Sequence, residues 1–108
     1  MSLDVYLICE HCESKLFDAN ITHNLGKIAE LAGIYKACWR PEELGAKFAK
    51  DIAPILKSGL EALTADPAKF IAENPENGWG SYENFVPWVK RYYEACMEFP
   101  NALIRASR

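Results

Sequence analysis

The hydrophobic and polar positions follow two periods in turn. "DVYLIC", Asp4 to Cys9, gathers β-branched, aromatic and aliphatic residues into a run too short for a typical helix and predicts a strand buried on at least one face. The polar "EHCES" reads as a turn. "KLFDANI" then alternates, with Phe17, Ala19 and Ile21 on one side and Leu16, Asp18 and Asn20 on the other. The two runs predict an N-terminal β-hairpin.

The period then lengthens. Leu25, Ile28, Ala29, Ala32, Tyr35 and Trp39 lie three or four apart, which places them on one face of a helix, with Thr22 or Asn24 as its N-cap. "RPEEL" predicts a second start, with Pro41 in the first helical position and Glu42 and Glu43 against the helix dipole. Leu44, Phe48, Ile52, Leu56, Leu60 and Leu63 continue that stripe, and Pro54 within it predicts a kink or a division. "ADPAKF" opens a short helix with Asp66 as cap and Pro67 as first residue. "NPENGWGSY", Asn74 to Tyr82, concentrates turn formers around Trp79. From Ser81 as a cap, Tyr82, Phe85, Val86, Val89, Tyr93 and Cys96 trace a last helical face that Pro87 bends and Pro100 ends. "NALIRASR" predicts a closing strand around Leu103 and Ile104.

Strand, strand, several helices, strand is an α+β order. It predicts one domain over residues 1–108, a small, largely antiparallel three-stranded sheet completed by the C-terminal strand, with helices on one face. The pattern leaves open whether the last strand pairs with the first or the second.

Composition narrows the function classes. A chain of 108 residues, 50% of them hydrophobic, fits one modest core. No apolar run approaches the roughly 20 residues that span a bilayer, and Asp4 stands where a secretory segment would be basic, so a cytoplasmic protein with no membrane partner is expected. A net charge of -3 argues against a nucleic-acid surface, with Lys90, Arg91, Arg105 and Arg108 as a local basic exception. No cofactor is called for, and a homodimer stays open.

The cysteines divide into two kinds. Cys38 and Cys96 fall on apolar helical faces, where a thiol behaves as a small hydrophobe. Cys9 and Cys12 flank a hairpin turn, "CEHC", at a spacing that supplies half a zinc site; a structural site needs two more ligands, and no second pair is evident. A redox Cys-x-x-Cys normally stands at a helix N-terminus, whereas this one joins two strands.

The "NITHNLG" junction is the main binding candidate. Asn20, Thr22, His23 and Asn24 supply four polar side chains where one would cap, beside unpaired backbone N–H groups that favour an anion. The purely structural reading has Asn20 and Thr22 fastening the loop, Asn24 capping and His23 satisfied in the interior. Trp79 between two glycines is either a stacking platform or a plug for the core. The Trp39, Trp79, Trp88, Tyr82, Tyr92 and Tyr93 set exceeds what so small a core requires and predicts aromatics at a cleft or partner interface.

"NITHNLG", "RPEE", "NPENGWGSYENF" and the terminal "SR" together resemble a family of small bacteriophage and prophage proteins, over the span from Asp4 to Arg108. The resemblance implies a phage-type accessory protein in a bacterial cytoplasm and brings no catalytic residue with it; "CEHC" is not among its motifs. The expectation is therefore a non-enzymatic binding module. Its pocket would form between Asn20, Thr22, His23, Asn24 and the Trp79 and Tyr82 loop, for a small anionic metabolite or nucleotide. The alternative is a modifier that docks on a host protein, and the third is a small hydrolase or transferase built on Cys12 or His23.

Overall fold

A computed structural model describes residues 2–73 and 82–108. Strands β1 (Ser2–Ile8), β2 (Lys15–Thr22) and β3 (Leu103–Ser107) form one antiparallel sheet in the order β2-β1-β3. The α+β order read from the sequence holds, and the open question of the last strand is settled: β3 pairs with β1. The most apolar strand takes the centre.

Register explains that choice. Leu3, Val5 and Leu7 are fully buried and lie opposite Ile21, Ala19 and Phe17 on β2, while Val5 and Leu7 meet Ala106 and Ile104 on β3. One face is thereby apolar across all three strands. The other carries Asp4 beside Asn20 and Ser107, and Tyr6 beside Asp18 and Arg105. The outer edge of β3 is partly covered, because Phe48 bridges to Leu103 and the Ile104 N–H donates to the Lys47 carbonyl.

Helices α1 (Gly26–Leu31), α2 (Tyr35–Trp39), α3 (Ala49–Ala65), α4 (Pro67–Ile71) and α5 (Tyr82–Glu98) complete the described residues. α1 and α2 replace the single helix predicted from Leu25 to Trp39. Gly33, at φ +79°, ends α1 in a Schellman motif: its N–H donates to the Glu30 carbonyl and the Ile34 N–H to that of Ala29. The apolar stripe continues across the break, which is why periodicity alone missed it.

A second left-handed glycine corrects the next helix. Pro41–Leu44 is a 3-10 turn that stops at Gly45, φ +69°, so the long helix starts at Ala49. Pro54 sits inside α3 without dividing it. Its missing N–H removes one bond near the start of a 17-residue helix, a loss that tertiary packing offsets. Gly59 lets the α1–α2 connection approach α3: a Cβ there would lie 2.2 Å from Ile34 Cγ2.

Of the aromatic set, Trp39, Trp88, Tyr82 and Tyr92 are taken up by the core, while Tyr93 is half-buried. Trp39, Phe85, Trp88, Tyr92 and Phe17 run in a chain of ring contacts with successive centroids 6.4, 6.0, 5.6 and 5.9 Å apart. Trp88 and Tyr92 are buried, whereas Val86 and Tyr93 are only half-buried, so the inner face of α5 is rotated from the predicted stripe. The large rings take the interior because each removes more surface from water than valine does. That burial carries a polar cost, since the Trp88 indole N–H and the Tyr92 hydroxyl have no hydrogen-bond partner among the described residues. Trp79 and the predicted cap Ser81 lie outside the described residues.

At the start of α3, the Asp51 carboxylate accepts the backbone N–H groups of Phe48 (2.9 Å) and Lys47 (3.0 Å). Those bonds hold its carboxyl below the ordinary aspartate range. Because the folded value is the lower one, the stabilisation is full above about pH 4 and is lost as pH falls through the depressed value. Urea denaturation should show Asp51→Ala less stable than the parent at neutral pH by under about 1 kcal/mol, the carboxylate being exposed. The gap should close in acid; a constant gap would contradict this assignment.

Candidate functional site

The side chains of Asn20, Thr22 and His23 at the strand-to-helix junction are each engaged within the chain. Asn20 Nδ2 donates to Asp4 Oδ1 (2.8 Å) and Ser2 Oγ (3.0 Å) across the β1–β2 pair. Thr22 Oγ1 accepts the Asn24 N–H (3.3 Å) and caps the 3-10 turn His23–Leu25. Thr22 is thus the cap, and Asn24 supplies the N–H it receives. His23 Nδ1 accepts the Trp39 indole N–H (2.8 Å), which requires a lone pair on Nδ1 and leaves the proton of the neutral ring on Nε2.

Tyr82 belongs to a different part of the molecule. Its hydroxyl donates to the Leu63 carbonyl (2.6 Å) and its ring stacks on Phe70. It fastens the start of α5 to the end of α3. Of the expected pocket, the structure brings Thr22, His23 and Asn24 together in consecutive positions, gives Asn20 and Tyr82 separate partners, and leaves Trp79 outside the described residues.

The thiols divide as expected between core and surface. Cys38 and Cys96 are buried; burial raises the Cys38 thiol far above its ordinary value and pushes that of Cys96 up to about 12. Both are neutral and unreactive. Cys9 and Cys12 lie at the hairpin turn, and among the described residues no three His, Cys, Asp or Glu side chains converge as a metal requires. No Ser or Cys donates to His23 among the described residues, so the nucleophile–base pair of a hydrolase is not formed there.

A concavity between α3 and α5 combines an apolar floor with two lysines at its border. It holds about 530 Å³ and is lined from α3 by Lys50, Ala53, Pro54 and Lys57. Tyr93, Cys96, Met97 and Pro100 line the other side. Its end is held in place by the Lys50 N–H, which donates to the Pro100 carbonyl (3.0 Å), and by the Ala49 N–H, which donates to that of Ala102 (2.9 Å). Lys50 and Lys57 are two helical turns apart, about 10 Å along the axis. No carboxylate lines the groove, and neither lysine makes an ion pair among the described residues; the Lys50 ammonium lies 5.4 Å from the Phe48 ring centroid.

A second concavity of about 520 Å³ lies beside α2 and differs in charge. Glu30 and Lys36 both line it, and Lys36 is within 3.9 Å of Glu43, so its cation already has a partner. Only the α3–α5 groove of these two presents lysines alone. The sequence did carry a trace of it: Lys50, Ala53, Pro54 and Lys57 share one helical face, as do Tyr93, Cys96 and Met97. Cys96, expected in the core, is buried and also forms part of the groove wall.

No family model, curated protein or solved structure matches the chain.

His23 has a structural test. Trp39 is 2% exposed, so His23→Phe leaves its indole N–H buried without an acceptor. The expected loss of stability is about 1–3 kcal/mol by chemical denaturation; an unchanged midpoint would show that the bond contributes nothing.

Proposed function

We propose that the protein is a non-enzymatic binding module whose α3–α5 groove takes a small amphipathic anion, an apolar body bearing a carboxylate. One observation carries this reading: in a chain of net charge -3, the apolar groove is bordered by Lys50 and Lys57 and by no acidic side chain. The physical roles divide accordingly. Burial contributes about 0.8 kcal/mol per methylene, so the apolar body supplies most of the affinity. The ammonium groups, on stems that cover apolar surface while their heads stay in water, select the sign of the head group.

A nucleotide fits less well, because its several phosphates call for convergent backbone N–H groups or a denser set of cations than two lysines. The junction residues Asn20, Thr22 and His23 each commit one side-chain atom to an intramolecular bond, which leaves fewer of their groups for an anion than the sequence offers.

Titration with decanoate, followed by backbone amide shifts, should move Lys50, Lys57, Tyr93 and Met97 saturably. Lys57→Glu should weaken binding by about tenfold, equivalent to about 1.4 kcal/mol, and a decyl ammonium cation should bind far less tightly. Equal binding of cation and anion, or shifts centred elsewhere, would overturn the assignment.

A further inference from the structure

The hairpin turn holds two thiols in one turn of backbone. The Glu13 N–H donates to the Cys9 carbonyl (3.0 Å), which wraps residues 9–13 into a single α-turn, and the Cys9 N–H donates to the Ser14 carbonyl (2.8 Å) as the ladder resumes. Glu13 takes a left-handed φ of +58° that redirects the chain into β2. Cys9 and Cys12 are thus the first and fourth residues of the turn, a separation of under about 7 Å between Cα atoms that overlaps the 4.4–6.8 Å of disulfides.

We propose that Cys9 and Cys12 are a redox-active dithiol that reduces small disulfides and closes to an intramolecular disulfide. Exposure assigns the roles: Cys12 is exposed and attacks, while Cys9 is half-buried and resolves. Ser14 Oγ lies 3.2 Å from Cys12 Sγ; the thiol donates to it, and the hydroxyl can turn to donate to the thiolate. Hydrogen bonding to Ser14, with a lesser contribution from Cys9, lowers the Cys12 thiol to about 7, near the value that favours attack at neutral pH.

The Cys12 thiolate attacks one sulfur of a disulfide RSSR, breaking its S–S bond, forming Cys12–S–S–R and expelling RS⁻, which takes a proton from water. Cys9 then gives its proton to solvent and attacks the Cys12 sulfur, expelling the second RS⁻. Two electrons pass from the protein to RSSR, which leaves as two RSH. Glu10, 3.4 Å from His11, lies between the two cysteines and Glu13 follows them, so a neutral disulfide should react faster than an anionic one. The buried Cys38 and Cys96 serve as internal controls.

The test treats the full chain with hydroxyethyl disulfide at neutral pH, alkylates the remaining thiols and locates each label by peptide mass spectrometry. The proposal expects loss of two hydrogens, no label on Cys9 or Cys12, and Cys38 and Cys96 labelled only after denaturation. Cys9→Ser should accumulate a mixed disulfide on Cys12, and Cys12→Ser should react about tenfold more slowly. Stable capping of both thiols without closure, exclusively intermolecular disulfides, or equal rates for the two variants would overturn it.

Discussion

The Trp39 indole is the interaction on which the rest of the structure depends. Its N–H is held by His23 at the end of β2, its ring stacks on Tyr35 (5.4 Å, 9°), and Phe85 on α5 lies against it. Its backbone carbonyl accepts from Arg108, just beyond β3, and the same guanidinium pairs with Glu42. One residue therefore ties the ends of both outer strands to the helical layer. Burial of a ring this large contributes on the order of several kcal/mol, and the indole N–H adds direction to a force that otherwise has none.

That arrangement redistributes the chemistry expected of the polar junction. Asn20, Thr22, His23 and Asn24 look like a ligand site in one dimension because four polar groups crowd a strand-to-helix turn. In three dimensions, Asn20 links β2 to β1, Thr22 caps, and His23 anchors Trp39. The groove lysines and the thiols of the hairpin turn lie elsewhere, and neither holds a strand or a helix in place through a side-chain bond of this kind.

Local signals in the sequence were legible where they agreed with the tertiary fold. The alternation from Lys15 to Thr22, the restart at Pro67 and the burial of Cys38 and Cys96 all followed from residue type and spacing. Gly33 and Gly45 were not read as breaks, because an apolar stripe on either side of a left-handed glycine looks continuous on a helical wheel. The pairing of β3 with β1 depends on a contact between the two ends of the chain, which no local pattern reports. The groove escaped for a similar reason: its two walls come from helices separated in sequence, and each lysine on its own reads as a solvated side chain.

The most direct measurement is hydrogen exchange of the Trp39 indole N–H, resolved by nuclear magnetic resonance beside the backbone amides of β1 and α5. If this indole holds the strand ends to the helices, its N–H exchanges only through global unfolding, with the same free energy as the slowest amides. Exchange far faster than those amides would mean that the His23–Trp39 contact opens while the fold stays intact, and would contradict the account.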